Sequence, residues 1–137
     1  VVDAERLATL LARVVDRVRI LRGFAEVDVD ELVADRVRMD SVKYTFQTAV
    51  EACIDAAHHT TASEGLERPA TNAGAFLALA GAGLLPEELG PAMADAVGFR
   101  NLLVHQYAEI DDRRVVAHLG ELDVLDRFVD AMTGLIG

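Results

Sequence analysis

The sequence predicts an all-α fold, an up-and-down bundle of four to five helices. Three observations carry this. Apolar residues recur at three- and four-residue steps along nearly the whole chain. Strand signals are weak: Val27-Asp28-Val29-Asp30 alternates, but the run is short and isolated. With 137 residues, 52% of them hydrophobic, the chain is long enough to bury a core as one domain, expected to span residues 1–137.

The elements follow in order. Leu7, Leu10, Leu11, Val14, Val18 and Leu21 form one helical face, and Gly23 is expected to end that helix. After an acidic stretch (Glu26, Asp28, Asp30, Glu31, Asp35), a second long helix is expected from about Glu31 to Thr60. Val42, Phe46, Ala49, Val50, Cys53 and Ala57 form its apolar face. Residues 61–69 carry Ser, Thr, Gly and Pro loop signals. Thr71 or Asn72 can then N-cap a short helix with Phe76, Leu77 and Leu79, stopped at Gly81-Ala82-Gly83. Pro86 and Pro91 suit first-turn positions. A helix from about Pro91 to Tyr107 turns Met93, Ala96, Val97 and Val104 inward. Asp111-Asp112 marks a turn before a last helix from about Arg113 to Ile136, bearing Val116, Leu119, Leu122, Leu125, Phe128, Val129, Met132 and Leu135.

Composition narrows the function. The apolar content excludes a disordered chain. Thirteen Lys and Arg against 23 Asp and Glu give a net charge of −10, which argues against a broad phosphate-coating surface but not against a small basic cleft. The charge is uneven: residues 23–64 hold nine acids and three bases, whereas residues 1–22 hold five bases and three acids. One cysteine, Cys53, excludes an intrachain disulfide and fits a reducing, cytoplasmic setting. The uncharged stretch at residues 71–86 is too short and too glycine-rich for a membrane helix of about 20 apolar residues. The opening Val1-Val2-Asp3-Ala4-Glu5-Arg6 has no basic region followed by an apolar one, so no secretory leader is expected. With no initiator Met, a few preceding residues are expected to be missing or trimmed.

One segment carries chemistry: Gly98-Phe99-Arg100-Asn101-Leu102-Leu103-Val104-His105-Gln106-Tyr107. It places a fixed cation, a carboxamide, an imidazole and a phenol within eight residues. On a helix, Asn101 and His105 lie about 40° apart and Arg100 and Tyr107 about 20° apart, but Arg100 and His105 are separated by about 140°. One helix therefore does not aim the last two at one atom unless it ends there or a second copy adds its own pair. These groups suit metal-free phosphodiester cleavage. A histidine takes the proton of a ribose 2′-OH or supplies one to the leaving oxygen. An arginine fork holds the charged phosphorane. Read as residues alone, a plainer account also stands, in which Arg100 pairs with an acidic neighbour and His105 caps a helix C-terminus.

Arg100, four residues, His105, one residue, Tyr107 resembles the R-x4-H-x-Y signature of HepT-like toxins of the HEPN superfamily. The order of the rest is similar too: Asp40-Ser41-Val42-Lys43-Tyr44 opening a helix, Glu51-Ala52-Cys53-Ile54-Asp55 within it, His58-His59 near its end, then Arg68-Pro69 before Ala75-Phe76. The resemblance covers the chain from the second helix to the C-terminus. It implies a HEPN-like helical domain that dimerises, with a ribonuclease cleft between protomers where two Arg–His pairs converge and a local field opposes the global one. It implies a type VII-like toxin–antitoxin system, whose MntA-like minimal nucleotidyltransferase transfers AMP from ATP to the motif tyrosine. By position, Arg100 and His105 are the catalytic pair, Asn101 a supporting polar group and Tyr107 the modified residue. The alternative is a non-catalytic helical module that binds a nucleotidyltransferase or a nucleotide.

Other residues read more plainly. Arg6, Arg13 and Arg17 share about 40° of the first helix, as an RNA-guiding stripe or as snorkelling and ion-paired arginines. His58 and His59 are adjacent and cannot both face one metal from a regular helix; no zinc spacing exists, and no metal or cofactor is expected. His118 reads as a helix-surface residue and Cys53 as a small core residue. Glu87-Glu88 and Asp111-Asp112 read as helix-end and turn charges. Gly81-Ala82-Gly83 lacks the strand and lysine of a phosphate loop.

Overall fold

A computed structural model describes residues 3–136, so Val1, Val2 and Gly137 of the expected 1–137 unit lie outside the described residues. Among these the fold is all-helical, with seven α-helices and one 3-10 segment: α1 (Ala4–Ala25), α2 (Val29–Ala34), α3 (Arg36–Ser63), α4 (Asn72–Gly81), α5 (Leu89–His105), α6 (Asp112–Ala117), the 3-10 segment (His118–Glu121) and α7 (Asp123–Thr133). The count exceeds the expected four to five because two long runs are each divided.

The first division falls at Asp35. Its backbone is extended (φ −101°, ψ 100°), and its carboxylate accepts a hydrogen bond from the Arg38 amide, capping α3. Asp28 caps α2 in the same way through the Glu31 amide, so Val27-Asp28-Val29-Asp30 enters a helix rather than a strand. The second division is the 3-10 turn at His118–Glu121, which separates α6 from α7 within the expected last helix. Gly23 does not end α1, which continues to Ala25.

Two glycines do end helices. Gly65 (φ 70°) follows α3 and Gly83 (φ 78°) follows α4, in the left-handed region that a side chain would strain. The amides of Leu66 and Leu84 reach back to the Thr61 and Leu79 carbonyls at 2.9 Å, closing the last turns. Thr71, rather than Asn72, caps α4, its hydroxyl accepting from the Gly74 amide at 2.9 Å.

Helix α3 packs against α1, α4 and α5, while α1 and α5 both reach α7. The six apolar residues expected on α1 and the six on α3 are all buried. Two edge-to-face ring pairs join the layers: Phe46 of α3 with Phe99 of α5 at 5.2 Å, and Phe76 of α4 with Phe128 of α7 at 5.4 Å. Helices α4 and α5 meet closely at Gly90, where an added Cβ would come within 2.8 Å of the Ala80 Cβ. One inward assignment is corrected: Val104 is exposed, because α5 turns Phe99 and Leu103 into the core instead.

Candidate active site

The signature segment sits at the C-terminal end of α5. Arg100 is one residue beyond Phe99, whose ring anchors the helix to Phe46 of α3. This turns the Arg100 side chain along α3, where Nη2 donates to Glu51 Oε2 at 2.9 Å and Nη1 donates to the Asn101 carboxamide at 3.1 Å. The Arg100 side chain is mostly covered, at 22% exposure, and its buried Nε has no hydrogen-bond partner. The ion-paired reading of Arg100 is therefore realised in this state, with Glu51 as the acid.

His105 is the last residue of α5 and is exposed. The helix stops at Gln106 (φ −129°, ψ 33°), and so Tyr107 leaves the helix instead of sharing a helical face with Arg100. Its hydroxyl donates to Asp40 Oδ1 at 2.8 Å. Burial, the Asp40 hydrogen bond and the nearby Asp40 and Asp112 charges push the phenol up to about 12.

Lys43 organises this turn. It is 7% exposed, and a cation so deep requires partners. It has three: the Tyr107 carbonyl at 3.1 Å, Asp112 Oδ1 at 2.8 Å, and the Tyr107 ring, whose centroid lies 4.8 Å away. Asp111 meanwhile caps α6 through the Arg113 amide. One helix thus holds both ends of the segment: α3 supplies Asp40 and Lys43 to Tyr107 and Glu51 to Arg100. Sequence reasoning missed roles for these three residues. Their signal was polar side chains at spacings of three and eleven, bordering the apolar face of one long helix.

Arg13 and Arg17 line a cleft of about 380 Å³ with Asp16, Thr48, Glu51 and Asp55. Arg17 is ion-paired with Asp16 at 2.7 Å, and Arg6 is exposed outside the cleft lining. His58 Nε2 donates to Asn72 Oδ1 at 2.9 Å, and so ties α3 to α4. His118 is not a plain surface residue: it is half-buried, stacked on the Phe99 ring at 3.8 Å, with Nδ1 2.7 Å from Glu121. Cys53 is buried, and burial pushes its thiol well above the ordinary range. Glu88 stands at the N-terminus of α5 and pairs with Arg127 at 2.6 Å. Among the described residues no helix is long and apolar enough to cross a membrane.

The ribonuclease HepT-like family matches residues 14–132. The chain belongs to this family. Within it, the chain is 30% identical to the mRNA nuclease HepT of Shewanella oneidensis, over 93% of this chain and 92% of that one. It is 28% identical to the tRNA nuclease HepT of Aphanizomenon flos-aquae, over 77% of this chain and 70% of that one. Its fold is similar to that of a tri-AMPylated Shewanella oneidensis HEPN toxin solved in complex with an MNT antitoxin. The TM-score is 0.86 at 26% identity, covering 98% of this chain and 99% of that one. The HepT-like match takes in the whole α5 segment together with α3, the helix that holds it.

Proposed function

We propose that this chain is the toxin of a type VII-like toxin–antitoxin pair: a cytoplasmic, metal-independent endoribonuclease silenced by AMP transfer to Tyr107. One HEPN/HepT-like domain spans residues 1–137 and acts as a homodimer. The observation that carries this reading is the Arg100–His105–Tyr107 segment, at the exposed end of α5 in a chain of the HepT-like family. The names of the two relatives, mRNA nuclease and tRNA nuclease, support RNA as the substrate class.

His105 is the proton-transfer group at the ribose 2′-OH or the leaving oxygen, giving a cyclic phosphate end. Arg100 holds the phosphorane with its fork of donors, and Asn101 steadies that fork. Because Arg100 lies along α3 while His105 ends α5, a second protomer completes the cleft. The partner is an MntA-like minimal nucleotidyltransferase, in line with the AMPylated toxin–antitoxin complex among the similar structures. An adenylate on Tyr107, two residues from His105, adds negative charge and bulk that repel an incoming RNA phosphate.

The Arg100–Glu51 ion pair favours a second reading, a non-catalytic module that binds a nucleotidyltransferase or a nucleotide, since its guanidinium is already neutralised. Expression of the wild-type chain alone separates the two. Growth arrest with RNA cleavage supports the nuclease; a harmless, well-folded chain supports the module. Tyr107→Phe is expected to stay toxic while escaping the nucleotidyltransferase. Full neutralisation of that variant by the partner, measured as restored growth, rejects Tyr107 as the acceptor.

A further inference from the structure

We propose that Asp40 is the proton acceptor for Tyr107 when the tyrosine attacks a nucleoside triphosphate, an inference that rests on Tyr107 being the AMP acceptor. The hydroxyl already donates to Asp40 Oδ1 at 2.8 Å, along the line a departing proton would follow. Asp40 is exposed, so the proton passes on to solvent. Tyr107 itself keeps 37% of its surface open to solvent.

The arrangement makes a base necessary. Burial, the Asp40 hydrogen bond and the nearby acids push the phenol up to about 12, so it stands protonated at neutral pH. The neutral phenol must therefore lose its proton as it reacts. Three charged groups surround it: Asp40 and Lys43 from α3, and Asp112 from α6. Lys43 donates to the Tyr107 carbonyl and to Asp112, which fixes the backbone and occupies Asp112. Asp40 alone receives the hydroxyl hydrogen. In the step, an electron pair on Tyr107 Oη forms the bond to the α-phosphorus. The bond from that phosphorus to pyrophosphate breaks, its pair leaving on pyrophosphate, and the Oη proton passes to Asp40 Oδ1.

The test is adenylate incorporation into the full chain, followed by intact mass, with ATP and an MntA-like minimal nucleotidyltransferase. Wild type, Tyr107→Phe, Asp40→Asn and Asp40→Ala are compared at matched unfolding midpoints. In Asp40→Asn the amide still accepts the hydrogen bond but not the proton. Its rate is expected to fall on the order of 10²-fold and to recover about tenfold per pH unit as pH rises above neutral. Removing the Asp40 charge also makes the phenol easier to ionise, so a purely electrostatic role predicts a faster rate. Asp40→Asn at or above the wild-type rate, with only Asp40→Ala slowed, overturns proton acceptance and leaves Asp40 holding the ring. If the wild type gains no adenylate, or Tyr107→Phe still does, the Tyr107 reading fails and takes this inference with it.

Discussion

Replacing His105 with Ala is expected to lower RNA cleavage by on the order of 10²–10⁴-fold, the usual contribution of a positioned proton-transfer group. His105 is exposed at the end of α5, so the unfolding free energy should change by no more than about 0.5 kcal/mol. Arg100→Ala should cost activity on a similar scale but act differently. It removes the partner of Glu51, whose carboxylate is 33% exposed and is rehydrated, so the stability loss stays small. Arg100→Lys should retain only part of the activity, because a point charge cannot bond Glu51, Asn101 and a phosphate in one plane. The double variant should be little worse than either single one, as expected of groups that act as a unit. The measurements are initial rates on labelled RNA with the partner absent, beside a growth assay. A folded His105→Ala variant that cleaves at the wild-type rate would remove His105 from the chemistry.

The largest structural effect is expected where α4 meets α7. Phe76 and Phe128 are fully buried and pack edge to face with centroids 5.4 Å apart. Phe128→Ala should destabilise the protein by about 3–5 kcal/mol, the transfer loss plus the cavity left behind. Phe76→Ala should fall in the same range. Because the rings touch, the double variant should be milder than the sum by about 0.5–1.5 kcal/mol. Urea unfolding measures this as a lower midpoint at an unchanged slope. Additive losses would mean that the two rings contribute only through burial.

Much of this fold was legible from periodicity and punctuation. The α1 stripe from Leu7 to Leu21 was visible because a six-residue apolar face leaves no second register. The cap at Thr71 and the stop at Gly83 were visible because a hydroxyl acceptor and a left-handed residue each solve a local backbone problem. The break at Asp35 was not. An aspartate within a helical period reads as a solvent-facing residue, and only the backbone shows that its carboxylate turns back to cap Arg38. A repeated signal was available, since Asp28 does the same seven residues earlier.

At the candidate site, the α5 segment was legible and its support was not. Asp40, Lys43 and Glu51 lie 49 to 67 residues from their partners, a separation that local pattern does not encode. The helical wheel also placed Tyr107 beside Arg100. The structure separates them because α5 ends at His105 and hands the phenol to Asp40. No glycine or proline stands at that end to announce the stop.

The two anchors on α3 carry a consequence for how this chain tolerates change in length. Asp40 and Glu51 are eleven residues apart, about three turns, so they face nearly the same way about 16 Å apart along the axis. Substitution between them leaves that spacing intact. Insertion or deletion of a single residue turns one anchor by about 100° relative to the other, releasing either the arginine or the tyrosine. The stretch between them is therefore a ruler: free to vary in composition on its outer face, fixed in its number of residues.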